Sequence, residues 1–187
     1  MSALNHFLKN TVASVLAIVM FSLPLTAAED ARLDRLFAEL LEAEPEQAVK
    51  VAREIELEWS KSGSAAMDLM LRRGRDALEA GETALAIEHL TALTDHAPDF
   101  AEGWYARAVA YTRAQLFGPA LEDLERAIAL RPRHFGAIYG LGVILEELGR
   151  PDMAQEAYEA VLAIHPTQSE SIAAIARLKP FLSGRDL

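Results

Sequence analysis

The chain has no cysteine among its 187 residues. That excludes a disulfide framework, a thiol nucleophile and a cysteine-ligated zinc site, and it says nothing of compartment. Long polar tracts are also missing, and 51% apolar residues are enough to bury a real core as one domain. No stretch alternates apolar and polar residues with period two for long enough to suggest a sheet. Basic residues are outnumbered, 18 Lys and Arg against 28 Asp and Glu. Such a balance disfavours nucleic acid and anionic membrane as general partners and suits solubility.

No apolar run has the length of a membrane span. The one at the N-terminus, Thr11 to Leu25, follows Lys9 and leads into Thr26-Ala27-Ala28 before Glu29 and Asp30. Its fifteen residues would rise only about 22 Å as a helix, against a hydrocarbon core of roughly 30 Å. Pro24 would also disturb the last turn. Residues 1–28 are therefore read as a signal peptide cut after Ala28, which makes the expected location periplasmic. The alternative is an inner-membrane anchor formed by residues 11–27, and a membrane is a partner only in that case. Without cysteine near the cut, lipid attachment there is excluded.

Beyond this segment the spacing is helical. Leu33, Leu36, Phe37, Leu40 and Leu41 make one face, Pro45 ends it, and Ala48, Val51, Ala52, Ile55 and Trp59 make a second before Lys61-Ser62-Gly63-Ser64 stops the helix. Residues 29–63 read as a helical hairpin. Then a proline returns at a fixed interval of thirty-four residues, at Pro98, Pro132 and Pro166, which marks a repeat architecture. Units 67–100, 101–134 and 135–168 each contain a helix, a turn, a second helix and an exit at proline. The twentieth place is Ala86, Ala120 and Ala154, and the eighth is Gly74, Ala108 and Gly142. Bulky residues fill the fourth place (Met70, Trp104, Ile138) and the twenty-fourth (Leu90, Leu124, Tyr158). Small beside large at a fixed period describes closely packed helix pairs. Residues 169–187 supply a capping helix and tail, with Ile172, Ile175 and Leu178 expected to cover the Val161 and Leu162 side of the last pair and Lys179-Pro180 expected to stop it. The fold class is all-α.

This pattern resembles the tetratricopeptide repeat family. The middle unit matches it most fully, through Trp104, Ala108, Tyr111, Phe117, Ala120, Ala127 and Pro132. The hairpin fits only through Ala52 and is expected to be a degenerate repeat or an N-terminal cap. The resemblance implies a right-handed α-α superhelix whose first helices line a concave groove.

Sites for chemistry are scarce. Gly140-Leu141-Gly142 lacks the third glycine of a phosphate cradle and lies inside a helix. No serine sits in a nucleophile elbow. His89, His96, His134 and His165 occupy different repeat places, and no two have the helical spacing of a metal pair. Acid pairs such as Glu122-Asp123 and Glu146-Glu147 read as solvated faces. The expectation is no enzyme, no cofactor and no metal.

What the family resemblance implies instead is a partner-binding groove. Carried over by place, its residues are Leu71, Arg75 and Leu78, then Tyr105, Val109, Thr112 and Arg113, then Tyr139, Val143 and Glu146. The lysines and asparagine of the clamp that chaperone-docking members use are not at these places. Arg73 and Arg107 stand one repeat apart, where the family has leucine, and are read as possible contacts for an acidic partner segment. The function expected is an adaptor or scaffold that holds a peptide or helix of a partner protein in the bacterial envelope. The alternative is a structural subunit of an envelope assembly, bound through the convex face or the hairpin.

Overall fold

The computed structural model describes residues 24–183. Among the described residues every regular element is a helix: α1 (Pro24–Glu42), α2 (Pro45–Trp59), α3 (Ala65–Glu79), α4 (Thr83–His96), α5 (Ala101–Arg113), α6 (Phe117–Leu130), α7 (Phe135–Glu147), α8 (Pro151–Ile164) and α9 (Ser169–Ser183). Helices α3 to α8 pair in sequence, α3 with α4, α5 with α6 and α7 with α8. Most of the expected signal segment lies outside the described residues, and the first five residues of α1, Pro24 to Ala28, precede the expected cut.

The paired helices approach closely because the eighth place is small and the twenty-fourth is large. A methyl group added at Gly74 would stand 2.5 Å from Leu90, and one at Gly142 would stand 2.6 Å from the Tyr158 ring. Neither distance is tolerable, so these glycines set the helix separation. Within each pair the turn needs a left-handed residue at the same repeat place, filled by Gly81 (φ +77°), Gln115 (φ +58°) and Gly149 (φ +67°). A glutamine takes that conformation against steric cost, whereas glycine does not.

The hairpin is placed differently from a preceding repeat. Rather than stacking on α3 and α4, it folds back over the far end of the chain. Leu36, Phe37, Leu40, Val51, Ile55 and Trp59 form one core with Phe135 and Ile138 of α7 and with Ala157 and Val161 of α8. The reversal occurs at Gly63 (φ +80°). Ser62 holds the turn, its backbone N–H and hydroxyl both donating to Asp68 Oδ1 at 2.8 and 2.6 Å. Outside the core, Arg133 donates to Asp34 at 2.6 Å and lies 4.1 Å from the Phe37 ring centre. Leu41, counted on the apolar face from its spacing, is exposed.

The cap also differs in detail. Its covered face is Ser171, Ala174 and Leu178, with Ile175 partly covered, while Ile172 is 49% exposed. It packs on Ala154 and Tyr158 of α8 and beside Tyr139 and Val143 of α7. The Val161 side belongs to the hairpin. Helix α9 continues to Ser183 with Pro180 inside it, so Lys179-Pro180 is not its stop.

Candidate partner-binding groove

The first helices of the repeats, α3, α5 and α7, lie side by side. Between α5 and α7 they leave a cleft of about 210 Å³ lined by Tyr105, Val109, Thr112, Arg113, Tyr139 and Val143. Its floor is narrow in side-chain volume, formed by Ala108, Gly136 and Gly140 over Leu124, so a guest chain can come close to the backbone. Six residues of the expected stripe are therefore brought together.

The rest of the stripe is not. Leu71 and Leu78 are buried, 2% and 6% exposed, in the core that α3 shares with Leu90, Leu93, Ala106 and Ala110. Places seven apart on α3 face both groove and next helix, and here the next helix wins them. Arg113 donates to the Leu78 carbonyl at the end of α3. Glu146 stands at the other rim, accepting from Arg177 at 2.8 and 2.9 Å and from the Tyr158 hydroxyl at 3.0 Å. The Arg177 hydrogen bonds, and to a lesser degree that of Tyr158, hold its carboxyl below the usual carboxylate range.

Arg73 and Arg107 do not act as a pair. Arg107 points inward, bonded to both oxygens of Asp123 at 2.7 and 2.8 Å and to Thr94 Oγ1 at 2.8 Å, with its guanidinium 4.9 Å from the Trp104 ring centre. The Asp123 hydrogen bonds raise its affinity for the proton further. Its acidic partner is thus intramolecular. Arg73 is exposed beside Asp76, Glu82 and His89, away from the groove.

Next to the apolar cleft lies a polar one, of about 340 Å³, and the two share Tyr105 and Gly136. Its walls come from two parts of the chain: Arg53, Glu56, Leu57, Trp59 and Ser60 from the hairpin side, Arg75, Glu102 and His134 from the repeats. Glu102 is buried and accepts from Arg75 Nη2 and, at 3.1 Å, from His134 Nε2. The direction of the second bond follows from the other ring nitrogen, because His134 Nδ1 accepts the Ala137 N–H at 3.1 Å and caps α7. Arg75 also donates to Ser60 Oγ at 2.9 Å. Burial, with Glu102 next in importance, pushes the Glu56 carboxyl up. The Tyr105 hydroxyl is pushed up to about 12, by burial first and then by Glu102 and Glu56. Sequence reading placed Arg75 in the groove but missed Glu102 and His134 as a buried pair. The available signal was an acid at the second place of one repeat and a histidine just before the next.

Among the described residues no group of side chains has the makings of a metal site, and no helix is long and apolar enough to cross a membrane.

Tetratricopeptide repeat models match residues 71–118 and 117–178. A TPR repeat-containing protein of Rhizobium etli is 31% identical over 201 aligned positions that cover 98% of each chain. Mouse DnaJ homolog subfamily C member 3 is 29% identical across 67% of this chain, which spans only 25% of that longer protein. Among solved structures, the first TPR of Spaghetti (RPAP3) bound to an HSP90 peptide superposes with a TM-score of 0.61 at 25% identity, covering 63% of this chain and 93% of that one. MamA superposes with a TM-score of 0.60 at 28% identity over 64% of this chain and 70% of its own. The full-length match and the two repeat models agree with the packing described above, and the chain belongs to the tetratricopeptide repeat family.

Proposed function

We propose that the chain is a protein-interaction adaptor that holds a peptide or helix of a partner in the groove between α5 and α7. One observation carries the reading: Tyr139, Val109 and Val143 line an open cleft over a floor of glycine and alanine, with Thr112 and Arg113 at its edge. Apolar side chains of a guest fill such a cleft, and the polar edge fixes its direction. The RPAP3 repeat domain, of similar fold, binds an HSP90 peptide, which supports the general mode. It does not supply the ligand, since the residues here are aromatic and aliphatic. The setting we propose is the bacterial envelope, from the apolar run Thr11 to Leu25 and the small residues before Glu29. The reading assigns no reaction to the chain.

Affinity capture from an envelope fraction tests it when run with three proteins: the native chain, a Val109→Glu, Arg113→Glu groove variant, and a Leu85→Glu variant on the outer helix α4. The partner should be lost from the groove variant alone. Loss only from the Leu85 variant would assign binding to the convex face and overturn the reading.

A further inference from the structure

Resting on the groove reading, we infer that the hairpin is the second wall of the binding site, and that the resulting two-walled trough takes an amphipathic partner helix carrying acids beside its apolar face. The hairpin is a permanent wall rather than a detachable strap. Leu40 and Ile55 are fully buried and Trp59 nearly so, against Phe135, Ile138 and Val161. A contact of that apolar extent is of the kind that holds a domain core together. Yet the hairpin leaves another face bare. Val49, Arg53 and Leu57 recur every four residues on α2 and form one stripe, with Val49 67% and Leu57 57% exposed. Arg53 and Leu57 from that stripe line the cleft that adjoins the groove where Tyr105 meets Gly136, so the hairpin wall and the groove lie on either side of that contact. An apolar stripe of this spacing, opposite an apolar groove, fits a guest held from two sides.

The charge of the guest follows from which ions are already matched. Glu102 is taken by Arg75 and His134, and Glu146 by Arg177. Arg53 is exposed on the hairpin wall, and Arg113 is exposed on the repeat wall with a neutral carbonyl as its partner. Each wall therefore shows an arginine set among apolar residues, on a protein whose net charge is −10. Glu56 lines the same cleft, where burial and Glu102 raise its carboxyl while Arg75, His134 and Arg53 oppose that shift in part. Complementarity calls for carboxylates on the guest.

The probe is a fluorescein-labelled helical peptide of eighteen residues with leucines three and four apart and glutamates flanking them, compared with the same peptide carrying lysines. Fluorescence anisotropy with the full chain should show the glutamate peptide binding at least roughly tenfold tighter than the lysine one. Arg53→Glu and Leu57→Ser on the hairpin wall, and Arg113→Glu on the repeat wall, should each weaken the glutamate peptide severalfold. All three positions are exposed, and an unchanged melting temperature confirms that the variants fold. If only Arg113→Glu weakens binding, the groove stands and the second wall is refuted. Tighter binding of the lysine peptide overturns the acidic chemistry. If neither peptide binds, both this inference and the groove reading fall. Self-association abolished by Leu57→Ser would mean that a second copy fills the trough, which also overturns the inference.

Discussion

The indole of Trp59 stacks on the imidazole of His134, with ring centres 4.4 Å apart and planes 28° from parallel. Tyr105 lies on the same imidazole at 4.6 Å. His134 is thus held between the hairpin and the second repeat while capping the first helix of the third. Three parts of the chain that sequence separates are joined at one ring.

Removing the indole should uncouple them. Trp59→Ala should cost about 3 kcal/mol, the usual loss for a buried large side chain that leaves a cavity. Urea denaturation measures the cost. Limited proteolysis should show faster cutting between residues 60 and 64, where the hairpin joins α3.

The ion pair beneath that stack carries its own prediction. Glu102→Ala leaves Arg75 and His134 without their shared acceptor, and losing a buried charged partner costs about 3–5 kcal/mol when the remaining ion has no water. Arg75 keeps 37% of its side chain exposed. Water can therefore take over part of its solvation, and we expect about 2 kcal/mol by chemical denaturation.

Gln115 is a position where the native residue is not the best one. Its φ of +58° falls at the turn place that Gly81 and Gly149 fill in the neighbouring repeats. Gln115→Gly should stabilise the chain by up to about 1 kcal/mol, as relief of left-handed strain outweighs the added freedom of the unfolded glycine. The converse, Gly142→Ala, should destabilise by about 1 kcal/mol, because a clash with Tyr158 exceeds the gain in helix propensity. Thermal melts of both variants check the pair of signs.

Acid should loosen the hairpin seam through His165. Burial holds its imidazole below the usual value of 6.5, with Glu170 opposing in part, and the ring meets Phe135 edge-on at 5.7 Å. Below about pH 6.5 the unfolded chain binds this proton more readily than the folded one, so stability falls as pH drops through that point. The raised Glu56 carboxyl acts in the opposite sense. The comparison of native chain with His165→Gln isolates the histidine: below pH 6.5 the native chain should lose stability faster than the variant.

The stack itself was legible from thirty-four-residue spacing, since Gly74, Ala108 and Gly142 recur opposite Leu90, Leu124 and Tyr158. Periodicity reports which faces are buried and not what buries them. Leu36, Ile55 and Trp59 declared an apolar face, but nothing in their spacing says that Phe135 and Val161, about a hundred residues away, would cover it. Arg107 failed as a binding residue for the same reason, because Asp123 and Thr94 reach it across helices. Tyr139, Val109 and Thr112 line one cleft because places four and three apart on equivalent helices stay in register. Leu71 and Leu78 lie on that stripe too, but adjacent first helices close over it.

The central claim is that partners bind the groove of α5 and α7. A photo-crosslinking amino acid placed at Thr112 in the groove, and separately at Glu122 on the outer helix α6, tests it in the intact cell. The account predicts one partner segment crosslinked at position 112 and none at position 122. Crosslinking of the partner at position 122 with none at 112 would contradict it.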